Sequence, residues 1–64
     1  MNRIREIRTG KNMTLKELAD LTAIHWVNLS RYERGERGVD IEVAAKIAAA
    51  LNCTVDDLIE KETA

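Results

Sequence analysis

The run from Thr14 to Gly35, TLKELADLTAIHWVNLSRYERG, constrains this chain more than any other part of it. It opens with Thr14-Leu15-Lys16-Glu17, the pattern of a capping box, in which the threonine hydroxyl and the glutamate carboxylate each take an orphan backbone N–H. Leu18 and Leu21 follow at helical spacing as the expected buried face. A turn spans residues 21 to 24, and Leu29 and Tyr32, with Ile24, give a second helix its inward face. Gly35 ends that helix. Two short amphipathic helices joined by so tight a turn form a helix-turn-helix, whose second helix is shaped to enter the major groove of DNA.

The flanks supply the rest of a small all-α bundle. Ile4 and Ile7 set the stripe of a first helix, about 2–9, with Gly10 as its stop. Asp40 caps a fourth helix, 41–51, in which Ile41, Ala44, Ala45, Ala48 and Leu51 share one face and Val43, Ile47 and Ala50 another. That second stripe fits either the interior of a compact bundle or a partner, and the interior is the favoured reading. Thr54-Val55-Asp56-Asp57 repeats the capping pattern before a fifth helix, 55–60, packed through Val55, Leu58 and Ile59. The helices expected are therefore 2–9, 15–21, 25–34, 41–51 and 55–60, in a single domain over 1–64. At 64 residues the chain sits near the lower limit for folding without staples.

The inventory excludes several function classes. One Cys and one His allow neither an internal disulfide nor a zinc constellation. No cofactor motif is present, and paired acids such as Asp56-Asp57 are explained by helix capping, so no catalytic set assembles. Cys53 reads as a small buried hydrophobe. No apolar run is long enough to span a membrane, and the charged N-terminus is no signal peptide, so a cytoplasmic setting is expected. The net charge is −1, but it is unevenly spread: residues 1–37 hold eight Lys/Arg against five Asp/Glu, and residues 38–64 hold two against six. A basic front half supplies one side suited to phosphates, though charge halves also arise by chance in small proteins.

The chain resembles the lambda-repressor/Cro-like helix-turn-helix proteins, the XRE-type family. IREIRTGKNMTLKELA is similar to the family's first helix, loop and second helix, and Leu29-Ser30-Arg31-Tyr32-Glu33-Arg34-Gly35 is the most specific single piece. The Asp40 cap and Ala48-X-X-Leu51-Asn52 extend the likeness over nearly the whole chain. The resemblance implies a five-helix domain that binds operator DNA, commonly as a homodimer, and hence a transcriptional regulator of the repressor type. It breaks at three places. Leu15 stands where a phosphate-anchoring glutamine is usual. Ala23 stands where a turn glycine is usual, at a cost of about 1 kcal/mol if the left-handed conformation is kept. Trp26 and Val27 occupy the main base-contacting positions, with no means of making bidentate hydrogen bonds.

Base contacts are expected from Trp26, Val27, Asn28 and Arg31, with Arg31 the chief polar discriminator because guanidinium matches the two acceptors of guanine. Phosphate contacts are expected from Lys11, Thr14, Lys16, His25, Ser30, Arg34 and Arg37. Other roles are open to some of these groups. Arg31 could pair with a neighbouring acid, and His25 could serve only to cap its helix. Trp26 and Val27 could meet thymine methyls, fold back onto the protein, or contact a partner protein. The last possibility defines an alternative function, an antitoxin- or adaptor-like interaction module on the same fold.

Overall fold

In the computed structural model, which describes residues 2–59, the caps decide where helices begin. The elements are α1 (Ile4–Gly10), α2 (Leu15–Thr22), α3 (Trp26–Glu33), α4 (Ile41–Leu51) and α5 (Val55–Leu58). Thr14 Oγ1 accepts the Glu17 amide at 3.1 Å, and Glu17 accepts the Thr14 amide at 3.1 Å. Thr54 and Asp57 form the same reciprocal pair at 3.2 and 3.0 Å. Asp40 accepts the Val43 amide at 2.8 Å. Each box satisfies amides that the first helical turn leaves without partners, which is why α2, α4 and α5 start at the expected residues.

The first helix starts later than the expected 2–9, because Asn2 serves as a tie instead, and it runs on through Gly10, expected as its stop, to a cap at Lys11. Asn2 Oδ1 accepts the Ile4 amide at 3.2 Å, and its Nδ2 donates to the Tyr32 carbonyl at 2.7 Å. The backbone there pairs with the far end of the described chain: Asn2 and Ile59 form an antiparallel bridge, and the Arg3 amide donates to the Leu58 carbonyl at 2.8 Å. The fifth helix stops at Leu58, short of the expected 55–60: Ile59, expected to pack within it, is extended and 52% exposed because its backbone bridges to Asn2, and residue 60 lies outside the described residues.

The core is aliphatic, with one aromatic. Ile4, Leu18, Leu29, Tyr32, Ile47, Ala48, Leu51 and Leu58 form one buried cluster, and Val43, Ala50 and Cys53 are half-buried against it. Helix α4 is the hub, lying against α1, α2 and α5. Its second stripe thus faces the interior, as favoured from sequence. The buried row is nevertheless neither stripe alone but the seam between them, Ala44, Ile47, Ala48 and Leu51. Ile41, expected on the core face, is 81% exposed, and Ala45 is exposed as well.

A second correction falls on α2. Leu21, expected inward, is 62% exposed, and Thr22 is buried in its place. The inward row of α2 runs through Leu15, Leu18, Ala19 and Thr22, so Leu21 lies about 100° round the helix from Leu18's successor at position 22. Thr22 is tolerated there because its hydroxyl donates to the Leu18 carbonyl at 2.8 Å and accepts the Ile24 amide at 3.3 Å. Burial of a hydroxyl is inexpensive once it is bonded in this way.

Candidate nucleic-acid interface

The turn between α2 and α3 keeps the glycine-type conformation although alanine occupies it: Ala23 has φ 58° and ψ 24°. Tertiary packing of α2 against α3 holds this residue in a region that L-residues enter at a cost. The turn delivers His25 as the cap of α3, with Nδ1 accepting the Val27 amide at 3.2 Å. His25 thus caps its helix through one ring nitrogen. Its ring also stacks on Trp26, centroids 5.9 Å apart and planes inclined by 27°.

Helix α3 buries Leu29 and Tyr32 and turns the other side out. Trp26 is 56% exposed, so it does not fold back fully onto the protein. Arg31 is exposed, and Val27, Asn28 and Ser30 are half-buried on the same helix. Among the described residues no acid pairs with Arg31, which leaves its planar guanidinium available to a base edge. The expected base-contacting group Trp26, Val27, Asn28 and Arg31 thus lies on one helix of eight residues.

The expected phosphate contacts are more dispersed. Lys11 and Thr14 are exposed and flank the start of α2, and Lys16 is exposed within its first turn. Thr14 already has its hydroxyl and amide engaged with Glu17. Arg34 lies just past α3 and pairs with Glu36 at 2.7 Å, both half exposed. Arg37 lies over the Tyr32 ring, 5.8 Å from its centroid. Both arginines remain exposed alongside these contacts.

Two features of the site carry no local signature in the sequence. The first is an ion pair between Arg8 of α1 and Glu33, the last residue of α3. Arg8 Nε reaches Glu33 Oε2 at 2.6 Å and its NH2 reaches Oε1 at 3.2 Å, with side chains only 11% and 6% exposed. The remaining guanidinium nitrogen donates to the Met13 carbonyl at 2.8 Å. One side chain thereby fastens the end of α3 to α1 and to the loop that leads into α2. The second feature is an open groove of about 720 Å³ between α2 and the start of α3. Leu15, Ala19, Ala23, Ile24 and Trp26 line it, together with Lys16, Asp20 and His25. Of the four residues that break the family pattern, Leu15, Ala23 and Trp26 lie on this one surface, and Val27 does not line it. Their separation along the chain conceals it.

Residues 3–64 match the family described as the Cro/C1-type HTH DNA-binding domain. The chain is similar to the SPbeta prophage-derived HTH-type transcriptional regulator YopS of Bacillus subtilis, 41% identical over 58 residues, covering 89% of this chain and 78% of that protein. It is 34% identical over 62 residues to the HTH-type transcriptional regulator AnsR of the same organism, covering 97% of this chain but only 53% of AnsR. Among solved structures, the clp gene regulator ClgR from C. glutamicum superposes with a TM-score of 0.81 at 37% identity, over 84% of this chain and 70% of that one.

Proposed function

The chain belongs to the Cro/C1-type helix-turn-helix DNA-binding family, and on that premise we propose that it acts as a homodimeric repressor, seating α3 in the major groove of an operator. It is a DNA-binding transcriptional regulator. The observation that carries the docking mode is the outer face of α3, where Trp26 and Arg31, which no acid pairs among the described residues, stand exposed on a helix whose opposite face is locked into the core. Arg31 reads a guanine, and Lys11, Lys16 and the N-terminal turn of α2 hold the adjacent backbone. Arg34 and Arg37 extend the positive surface beyond α3.

The dimer reading is supported by a second apolar cleft, of about 210 Å³, lined by Val39, Ile41, Ala44, Val55, Leu58 and Ile59 among others. Two of the four large hydrophobics most exposed among the described residues, Ile41 and Ile59, border it. A second copy of the chain covers this face and doubles the length of DNA that is read. The cytoplasm is the compartment such a regulator works in, and among the described residues no helix is long and apolar enough to cross a membrane.

The test is selection of bound sequences from random duplex, followed by a salt titration on the selected site. Affinity falls steeply with salt as counterions are released, and Arg31→Ala weakens binding about tenfold or more while relaxing one position of the site. Half-sites spaced by about one helical turn report the dimer. Duplex binding that is undetectable even at low salt would overturn the reading in favour of a protein-interaction module.

A further inference from the structure

The last turn of α3 is gripped twice, by Arg8 on the Glu33 carboxylate and by Asn2 on the Tyr32 carbonyl, next in sequence to Arg31. The two grips differ in what else they touch. Arg8 reaches back to the Met13 carbonyl, whereas Asn2 lines the apolar cleft with Ile41 and Ile59 and bridges to Ile59 through its backbone. Its half-buried side chain is fully engaged: Nδ2 donates to Tyr32 at 2.7 Å while Oδ1 accepts the Ile4 amide at 3.2 Å. One residue thus touches both the end of the reading helix and the wall of the cleft. The bridge beside it is the element able to open. It is backed by the Arg3 amide on the Leu58 carbonyl at 2.8 Å, and Ile59 leaves 52% of its surface in water. So short a pairing opens at far lower cost than the core. Opening it frees Asn2 and leaves the Tyr32 carbonyl with the Gly35 amide alone, at 3.1 Å. A second copy seated in the cleft buries Ile59 and Ile41 and so favours the closed form.

We infer that Asn2 is a positioning residue that couples pairing of two chains to DNA reading. A second copy closes the Asn2–Ile59 bridge, and the closed bridge holds the end of α3 that carries Arg31. The inference rests on the dimer and the docking of α3 proposed above, and adds the link between them. Such a link is reciprocal: DNA on α3 tightens pairing by the same factor as pairing tightens DNA binding.

The experiment measures self-association of the full chain by sedimentation, alone and with a saturating duplex that carries a single half-site of the selected operator. In the parent the duplex strengthens pairing about fivefold or more. Asn2→Ser keeps an acceptor for the Ile4 amide but is too short to reach the Tyr32 carbonyl. In this variant the ratio of association constants with and without duplex falls to about one. A merely structural role for Asn2 would lower stability and leave the ratio at the parent's value. Asn2→Asp, which keeps the acceptor but sets a carboxylate against the Tyr32 carbonyl, gives the same loss. It serves as the test if circular dichroism shows the serine variant to be unfolded. A parent ratio of one or below, or the parent's ratio retained in both variants, would overturn the inference alone. A chain that stays monomeric with and without duplex overturns the dimer reading, and one that pairs but binds no duplex overturns the docking. The inference falls with either.

Discussion

The Arg8–Glu33 pair offers the sharpest test of how this small domain holds its reading helix. Both side chains are nearly removed from solvent, two hydrogen bonds join them at 2.6 and 3.2 Å, and a third ties Arg8 to the Met13 carbonyl at 2.8 Å. Glu33→Ala leaves a guanidinium in the interior with one carbonyl as company. Removing one partner of such a pair costs about 3–5 kcal/mol, most of it from the stranded charge. A domain of 64 residues has a total stability of roughly 3–10 kcal/mol, so the variant is marginal at room temperature. Its melting midpoint falls by roughly 12 °C or more. Arg8→Met with Glu33→Leu removes both charges and keeps the volume. It recovers most of the loss and stays about 1 kcal/mol below the parent, because the Met13 carbonyl has lost its donor. Urea unfolding followed by circular dichroism, with Arg8→Met and Glu33→Leu singly and together beside Glu33→Ala, completes the cycle. A loss below about 1 kcal/mol for Glu33→Ala, the behaviour of a surface pair, would refute the argument. So would a double variant that costs as much as the two single ones together.

The remaining predictions concern backbone strain, the thiol and the apolar face. Ala23→Gly relieves the left-handed alanine and raises stability by up to about 1 kcal/mol, less the entropy that glycine adds to the unfolded chain, while Ala23→Val lowers it; thermal melts of the two shift in opposite directions. Gly10 ends α1 with nothing within 4 Å of a Cβ placed on it, so Gly10→Ala stabilises by about 0.4–1 kcal/mol in the same assay. Burial raises the Cys53 thiol above its ordinary pKa, with Asp57 adding to the shift and Lys11 opposing it. Alkylation at pH 8 is therefore slower than for a free thiol and quickens on unfolding. Because the folded state favours the protonated thiol, its small contribution to stability is present below the unfolded pKa and lost as pH rises through the folded one. Ile41→Glu makes the sedimenting species monomeric and weakens operator binding without changing the helical spectrum; a variant that remains dimeric would move the interface elsewhere.

What the sequence reveals about this fold depends on how local each cause is. Thr14, Asp40 and Thr54 announce their helices because a cap and its amide lie three residues apart, and Gly35 adopts φ 74° where the α3 stop was expected. Burial is harder to read, since Ile41 and Leu21 sit at helical spacing with core residues yet face water. Which side of an apolar stripe is covered is decided by neighbouring helices, about which spacing says nothing. The outward positions of α3 proposed to meet bases follow from the face opposite Leu29 and Tyr32. Arg8 escapes notice entirely, because its partner is 25 residues away and an arginine in a charged N-terminal helix reads as solvated.

The pairing of Asn2 with Ile59, backed by the Arg3 amide on the Leu58 carbonyl, makes the described chain almost a ring. Connectivity is then nearly free to change while geometry stays fixed. A short linker from residue 59 to residue 2, with a cut in the exposed loop between Gly35 and Gly38, yields a permuted order α4–α5–α1–α2–α3. The helix-turn-helix remains contiguous and the Arg8 clasp stays within one segment. The reading helix is then the last element, and a fused domain can be carried just beyond its Gly35 stop.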